Sequence, residues 1–264
     1  MDQGSLLSPR YDPAEERAWH LSILTGQGIT ACAVHSVDDG RAVALFWGEG
    51  KTLLNSEDLP RHPVTISFVS LPEWSTLVPL GALEPGTGAE HLALVHGGLP
   101  SGALREEPVR SIGATCIYVH DDREESAVLQ KFPNARALPL QGLMVRSAKA
   151  LGADRQVILV LREAERVHIT IVDNGKLLMS NSFSARSAHD VLYFTLMALE
   201  RTGISPMEVE LRYGGSYLSD SDRDLLGRYV NDSVPGCSFE LETTTEQIPV
   251  YRWMAALEQF SCVS

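Results

Sequence analysis

The sequence predicts an α/β protein of two lobes related by duplication, in which each lobe opens with a three-stranded antiparallel meander. Three observations predict this class. The chain has 264 residues, 44% of them apolar, which suits one large domain or two small lobes. A run of three short strands lies near the N-terminus, and a second such run follows the midpoint. We expect an N-terminal arm at 1–18, a first lobe at 19–152 and a second lobe at 153–264.

The first meander consists of three strands joined by glycine-containing turns. The strands are Leu21–Leu24, Ile29–Val37 and Ala42–Trp47, and the turns are Gly26-Gln27-Gly28 and Asp38-Asp39-Gly40. Glycine adopts the positive φ that tight hairpin turns need, and Asp-Gly is one of the strongest short hairpin signals. The three strands are therefore predicted to be antiparallel neighbours.

The second meander repeats this pattern after the midpoint of the chain. Its strands are Val157–Arg162, Val167–Val172 and Lys176–Ser180, joined by Ala164-Glu165-Arg166 and Asp173-Asn174-Gly175. Asn-Gly is the sequence signature of a type I′ hairpin turn. The recurrence of the meander predicts that the second lobe is a copy of the first.

After the second meander, segments with apolar residues at helical spacing alternate with short apolar runs. This pattern predicts alternating helices and strands. The predicted elements are a helix at Ser187–Thr202, a strand at Met207–Tyr213, a helix at Ser219–Val230, a strand at Cys237–Thr243 and a helix at Val250–Phe260. We expect Phe183 to be buried against the helix that contains Tyr193, and Asn181 to bond backbone groups nearby.

The remainder of the first lobe follows the same plan less regularly. The predicted elements are strands at Val64–Ser70, Ala114–Val119 and Ala137–Leu140, and helices at Asp121–Lys131 and Leu140–Leu151. A Pro-rich turn and a Gly-rich stretch from 81 to 102 separate the first two of these strands, and they predict irregular structure.

Charge and composition exclude several classes of protein. The formal net charge of −12 is spread along the chain, which argues against a nucleic-acid or anionic-membrane partner. No apolar stretch approaches the ~18 residues of a membrane span, and residues 1–17 lack the apolar core of a signal peptide. Four scattered cysteines without a Cys-x-x-Cys pair argue against zinc and fit reduced thiols. We expect a cytoplasmic protein.

Short motifs in both lobes carry a family resemblance. They are Asn174-Gly-Lys-Leu-Leu178 leading into Asn181-Ser-Phe183, then Asp190-Val-Leu-Tyr193, Tyr213-Gly-Gly-Ser216, Arg228-Tyr229, Thr76-Leu-Val-Pro79 and Phe132-Pro-Asn-Ala135. With them the chain resembles, over about residues 18–262, a bacterial family of uncharacterised proteins, a domain of unknown function with an actin-like ATPase fold. The resemblance implies duplicated ribonuclease H-like (actin-like ATPase) lobes.

The resemblance also implies where a nucleotide would bind. Actin-like proteins hold ATP between their lobes, using one phosphate-binding turn per lobe with glycines and a carboxylate. Here the first turn has Gly26 and Gly28 but no carboxylate, whereas the second has Glu163 and Glu165 but no glycine. A third turn, Tyr213-Gly-Gly-Ser216, lies where these proteins pack against adenine. A Gly-Gly pair after a strand is, however, more often only a tight turn. The candidate nucleotide cleft, for weak adenine-nucleotide binding, comprises Gly26, Gly28, Gly214, Gly215 and Ser216.

Two groups of acidic residues are candidates for metal sites. His120, Asp121 and Asp122 follow a predicted strand and could hold a metal, but Asp121 or Asp122 serves more simply as the N-cap of the next helix. The aspartates within 220–224 lack the glycine and closing glutamate of a calcium loop. No Walker loop or Gly-x-Ser-x-Gly motif is present, and we assign no catalytic residue and no metal ligand.

Two functions remain open. The first is a non-hydrolysing actin-like binding or scaffold protein, a pseudo-ATPase comparable to the lobed cytoplasmic components of pilus and secretion assemblies. It would dock another protein through its interlobe cleft or a lobe surface. The alternative is a divergent ATPase or sugar-kinase-like phosphotransferase that takes its acidic groups from Asp38, Asp173 or Glu163.

Overall fold

The structure is a computed structural model that describes residues 3–236 and 249–263. Its strands are β1 Gly4–Leu7, β2 Trp19–Gly26, β3 Ile29–Ser36, β4 Ala42–Glu49, β5 Thr65–Leu71, β6 Glu73–Pro79, β7 Arg105–Val109, β8 Ala114–His120, β9 Arg136–Ala137, β10 Gln156–Glu163, β11 Arg166–Asp173, β12 Lys176–Ser184, β13 Glu210–Gly214 and β14 Asp232–Pro235. Its α-helices are α1 Gly88–His96, α2 Asp122–Lys131, α3 Leu140–Leu151, α4 Ala188–Thr202, α5 Asp220–Leu226 and α6 Met254–Leu257.

Two large sheets share one strand order, which confirms the predicted duplication. The first sheet runs β1-β4-β3-β2-β5-β9 and the second runs β12-β11-β10-β13-β14. In each sheet the three meander strands are antiparallel, and the first meander strand pairs in parallel with the strand that follows the meander in the sheet. Both predicted meanders are therefore present, and they lie in separate sheets.

The main core lies where the two lobes meet. Helix α3 packs against the second sheet and α6 packs against the first, and both contribute to one apolar cluster. From the first sheet to the second, this cluster includes Leu24, Leu143, Trp253 and Leu159, all buried. Outer helices cover the other faces, with α2 against the first sheet and α4 with α5 against the second. Both faces of each sheet are thus covered, as is usual for sheets with parallel pairs.

A small sheet, β6-β8-β7, with α1 packed on it, is inserted in the first lobe. The sequence interpretation found only β8 of these elements. Helix α1 lies inside the Gly-rich stretch expected to be irregular, and β7 reads Arg-Glu-Glu-Pro-Val without apolar alternation. Periodicity reports burial of one face, and these elements bury too little apolar surface to produce it.

Other elements differ from expectation in extent. Part of the N-terminal arm, Gly4–Leu7, forms β1 on the open edge of β4. The strand expected at Ala137–Leu140 is shortened to Arg136–Ala137, because Pro139 precedes the first turn of α3. The C-terminal helix is α6 flanked by 3-10 turns. The strand expected at Cys237–Thr243 lies outside the described residues.

Phe183 is less buried than the sequence suggested. Its ring is half-buried and stacks on Phe194 of α4, with centroids 4.6 Å apart and planes 9° from parallel. Tyr193 on the same helix is 62% exposed. Asn181 is exposed. Its side-chain oxygen accepts a hydrogen bond from the backbone amide of Ser182, the next residue in the chain. The reason is that β12 is an edge strand, so Phe183 is covered from one side.

Helices long and apolar enough to span a bilayer are not found in the part of the chain that the structure describes.

Candidate functional site

The first-lobe turn joins β2 to β3 through three residues in the left-handed region. Gly26, Gln27 and Gly28 have φ values of 131°, 56° and 89°. A Cβ atom at Gly26 would overlap the carbonyl oxygen of Leu71 on β5, whereas a Cβ at Gly28 would meet no described atom within 4 Å. Gly26 is therefore required by the packing of the sheet, and only Gly28 leaves open space of the kind that a ligand could approach.

The second-lobe turn carries a carboxylate that is already in use. Glu163, at the end of β10, is buried, and both its oxygens lie 3.3 Å from the amide nitrogen of Ser216. The Ser216 hydroxyl donates a short hydrogen bond to Glu163 Oε2. Burial raises the pKa of Glu163 to about 8, although the bonds from Ser216 oppose this shift. At pH 7 this carboxyl is therefore largely protonated.

The Gly-Gly turn after β13 is filled by the protein itself. Gly215 has a φ of 109°, and a Cβ atom there would overlap the backbone of Arg162. A Cβ at Gly214 would lie 2.9 Å from the carbonyl oxygen of Tyr251. Both glycines thus allow backbone of the same chain to approach closely. This arrangement agrees with the alternative that the Gly-Gly pair forms only a tight turn.

Tyr217, just after the Gly-Gly turn, joins the two lobes by hydrogen bonds to each of them. Its hydroxyl donates a 2.6 Å hydrogen bond to the carbonyl oxygen of Gln27, in the first-lobe turn, and its amide donates to the carbonyl of Arg162. The five candidate residues of the nucleotide cleft therefore belong to turns that meet in space. Sequence reasoning missed Tyr217, since nothing in its spacing relates it to a turn 190 residues away.

The other carboxylates considered for catalysis lie far from these turns. Gly28 precedes β3 and Asp38 follows it, while Glu163 precedes β11 and Asp173 ends it. Each of these strands has eight residues, which at ~3.4 Å per residue separates its ends by about 24 Å. Glu163 is thus the one carboxylate of the three that stands at the interlobe turns.

His120 and the aspartates after it do not form a common site. The Asp121 side chain accepts hydrogen bonds from the amides of Arg123 and Glu124, so it is the N-cap of α2, as the sequence interpretation favoured. His120 points elsewhere. Its ring is buried between Glu73 and Glu125, with Nε2 3.4 Å from Glu73 Oε2 and Nδ1 3.7 Å from Glu125 Oε2.

Glu73 in turn fixes the start of α3. Its carboxylate accepts hydrogen bonds from the amides of Leu140 at 2.5 Å and Gln141 at 3.2 Å. Burial by itself raises the pKa of Glu73, but its contacts with His120 and the Leu140 amide hold it below its usual value. Arg166 of the second lobe donates to the Glu73 carbonyl at 2.8 Å. This buried network therefore holds the lobes together and is not open to a ligand.

One family model matches the chain. It is described as "Protein of unknown function (DUF3822)" and matches residues 68–231, which include the inserted sheet and most of the second lobe. The comparison with curated proteins gives no match.

Solved structures match over nearly the whole chain. A Bacteroides thetaiotaomicron protein with an actin-like ATPase fold and unknown function matches with a TM-score of 0.73 and 15% identity, covering 94% of this chain and 97% of that chain. A chain of a PilM–PilN type IV pilus biogenesis complex matches with a TM-score of 0.57 and 15% identity, covering 95% and 99%. At these identities the similarity shows the actin-like ATPase fold.

Proposed function

The chain belongs to the DUF3822 family of proteins of unknown function, and we propose that it is a non-hydrolysing binding or scaffold protein of the actin-like fold. Its first lobe at 19–152 and second lobe at 153–264 dock another protein through the interlobe cleft or a lobe surface. The buried, unbridged thiols of Cys32 and Cys116 support the cytoplasmic location that belongs to this proposal.

One observation carries the proposal: the groups that would serve a nucleotide at the interlobe turns are bonded within the protein. Ser216 holds the carboxyl of Glu163, whose raised pKa favours its neutral form. A protonated carboxyl is a poor ligand for magnesium, which prefers charged oxygens. Without a bound metal and positioned charge, phosphoryl transfer loses its main source of transition-state stabilisation.

We expect purified protein to show negligible magnesium-dependent ATP hydrolysis, measured as phosphate release, even where Gly28 and its turn give weak adenine-nucleotide affinity. The variants Glu163→Gln and Glu165→Gln provide a matched pair, because both lie in the second-lobe turn and only Glu163 is buried. Neither substitution should change the background rate.

A turnover on the order of 1 per second or more, within the ordinary enzyme range, would contradict this expectation. If Glu163→Gln abolished that turnover and Glu165→Gln did not, the divergent ATPase or sugar-kinase-like phosphotransferase would become the better proposal.

The inserted small sheet supports a protein partner. Helix α1 exposes Leu94 to 83% and Val95 to 52%, and Leu99 just after it is 55% exposed. Exposed apolar side chains grouped in this way mark interaction surfaces more often than isolated ones do. Glu90, one helical turn before Leu94, is also exposed, so the complementary partner segment carries apolar side chains flanked by Lys or Arg. The same fold takes part in a type IV pilus biogenesis complex in the PilM–PilN structure.

The partner surface is tested by placing a photo-crosslinking residue at position 94, identifying the crosslinked protein and measuring its affinity for purified variants. We expect Leu94→Ser to weaken binding about tenfold, as for an interface residue of moderate energy. Tyr193→Ser is the matched control, since Tyr193 is a large exposed side chain of the second lobe. Equal affinities for the two variants, or crosslinking only to a second copy of the chain, would contradict this surface.

A further inference from the structure

Two neighbouring cavities, lined mainly by residues of the first lobe, share the side chain of Arg136. The first has a volume of about 510 Å³ and is lined by residues that include Arg61, Lys131 and Arg136. The second has a volume of about 560 Å³ and is lined by residues that include Arg110, Arg136 and Arg146. Arg136 therefore stands between them, and each cavity has the size of an ordinary small-molecule site.

Their charge is opposite to that of the whole protein. The two linings contain five permanently cationic side chains and a single carboxylate, Glu107, whereas the chain carries a net charge of −12. A local excess of positive charge on an acidic protein attracts anions to that place.

The cations are only partly neutralised. Glu107 Oε1 accepts a 2.6 Å hydrogen bond from Arg136 Nη2 and lies 3.8 Å from Arg146 Nη2. The side chains of Arg136 and Arg146 remain 49% and 32% exposed. Glu107 therefore pairs with two of the three guanidinium groups of the second cavity, and within residues 3–236 and 249–263 the third, Arg110, has no ion pair.

We propose that the two cavities form one site for a small ligand with two linked phosphate groups, of the pyrophosphate type. Guanidinium groups favour phosphate because they donate two parallel hydrogen bonds to its oxygens. Arg110 and Arg146 hold one phosphate group, Lys131 and Arg61 hold the other, and Arg136 contacts both. This site is separate from the interlobe turns and does not depend on the function proposed above.

The test is calorimetric titration of the full chain with inorganic pyrophosphate, with inorganic phosphate as the single-group comparison. We expect saturable binding of pyrophosphate and about tenfold weaker binding of phosphate, since the latter reaches only one group of cations. Arg110→Ala should weaken pyrophosphate binding about tenfold, the usual effect of losing a hydrogen bond to a charged group. Arg201→Ala, an exposed position at the end of α4, removes the same charge elsewhere and should have no effect.

A second variant changes affinity in the opposite direction. Glu107→Gln removes the one carboxylate while keeping its shape, so pyrophosphate should bind several-fold more tightly. The proposal is overturned if pyrophosphate shows no saturable binding, or if Arg110→Ala and Arg201→Ala weaken it equally. It is also overturned if a Glu-rich peptide binds more tightly than pyrophosphate, which would assign the cavities to an acidic protein segment.

Discussion

Replacing Asp222 with Asn should lower the free energy of unfolding by about 3–5 kcal/mol, the usual result of breaking a buried ion pair from one side. Asp222 is fully buried, and its two oxygens lie 2.5 and 2.6 Å from Arg162 Nη1. The carboxylate also accepts hydrogen bonds from the amide and hydroxyl of Ser219. Neutralising it leaves the mostly buried guanidinium of Arg162 without its counter-charge.

The effect should reach the interlobe turns, because Arg162 also supports them. Its backbone packs against Gly215, and its carbonyl accepts from the amide of Tyr217. Thermal denaturation should show a fall in Tm on the order of 10 °C. Asp220→Asn is the matched control: it lies in the same helix, but its side chain is 77% exposed and pairs at the surface with Arg223. Equal changes in Tm for the two variants would show that the buried pair contributes little.

Stability should fall by about 2 kcal/mol as pH rises from about 6.5 to 8, because of Glu163. Its folded-state pKa is raised to about 8 by burial, above the value of about 4.3 expected in the unfolded chain. Between these two values the folded state binds more protons than the unfolded state. The contribution of Glu163 to the free energy of unfolding therefore decreases with rising pH over this range and levels off above pH 8.

Three buried histidines act in the opposite direction at lower pH. Burial lowers the pKa of His20 to about 4, of His35 to about 3 and of His168 to about 4. The unfolded chain takes up these protons near pH 6.5 and the folded chain does not. Stability is therefore lost as pH falls below about 6.5, and the maximum should lie near that pH.

Denaturant unfolding measured between pH 5 and 9 tests both limbs. Glu163→Gln keeps a neutral, hydrogen-bonding side chain beside Ser216, so the decline between pH 6.5 and 8 should disappear while the loss at acid pH remains. A wild-type stability that stays constant from pH 6.5 to 8 would show that Glu163 is charged in the folded protein. A charged Glu163 would also be able to bind magnesium.

The sequence by itself determined the elements whose signals are local. Asn174-Gly175 and Gly26-Gln27-Gly28 predicted the meander turns, and the helix at Leu140–Leu151 has the predicted bounds, because turn chemistry and helical burial act between residues a few positions apart. The duplicated architecture followed from the recurrence of these signals. Strands such as β7, which bury little apolar surface, gave no such signal.

Only the tertiary structure decided how the candidate site is used. Glu163 meets Ser216 across 53 residues, and Tyr217 meets Gln27 across 190. Such pairs depend on which side chains the packed lobes bring into contact, and no periodicity in the chain records them. The sequence placed Gly215 either in a nucleotide cleft or in a tight turn, and the group that lies against it in the structure is the backbone of Arg162. A glycine shows that a neighbour comes close, and folding decides whether that neighbour is a ligand or the protein itself.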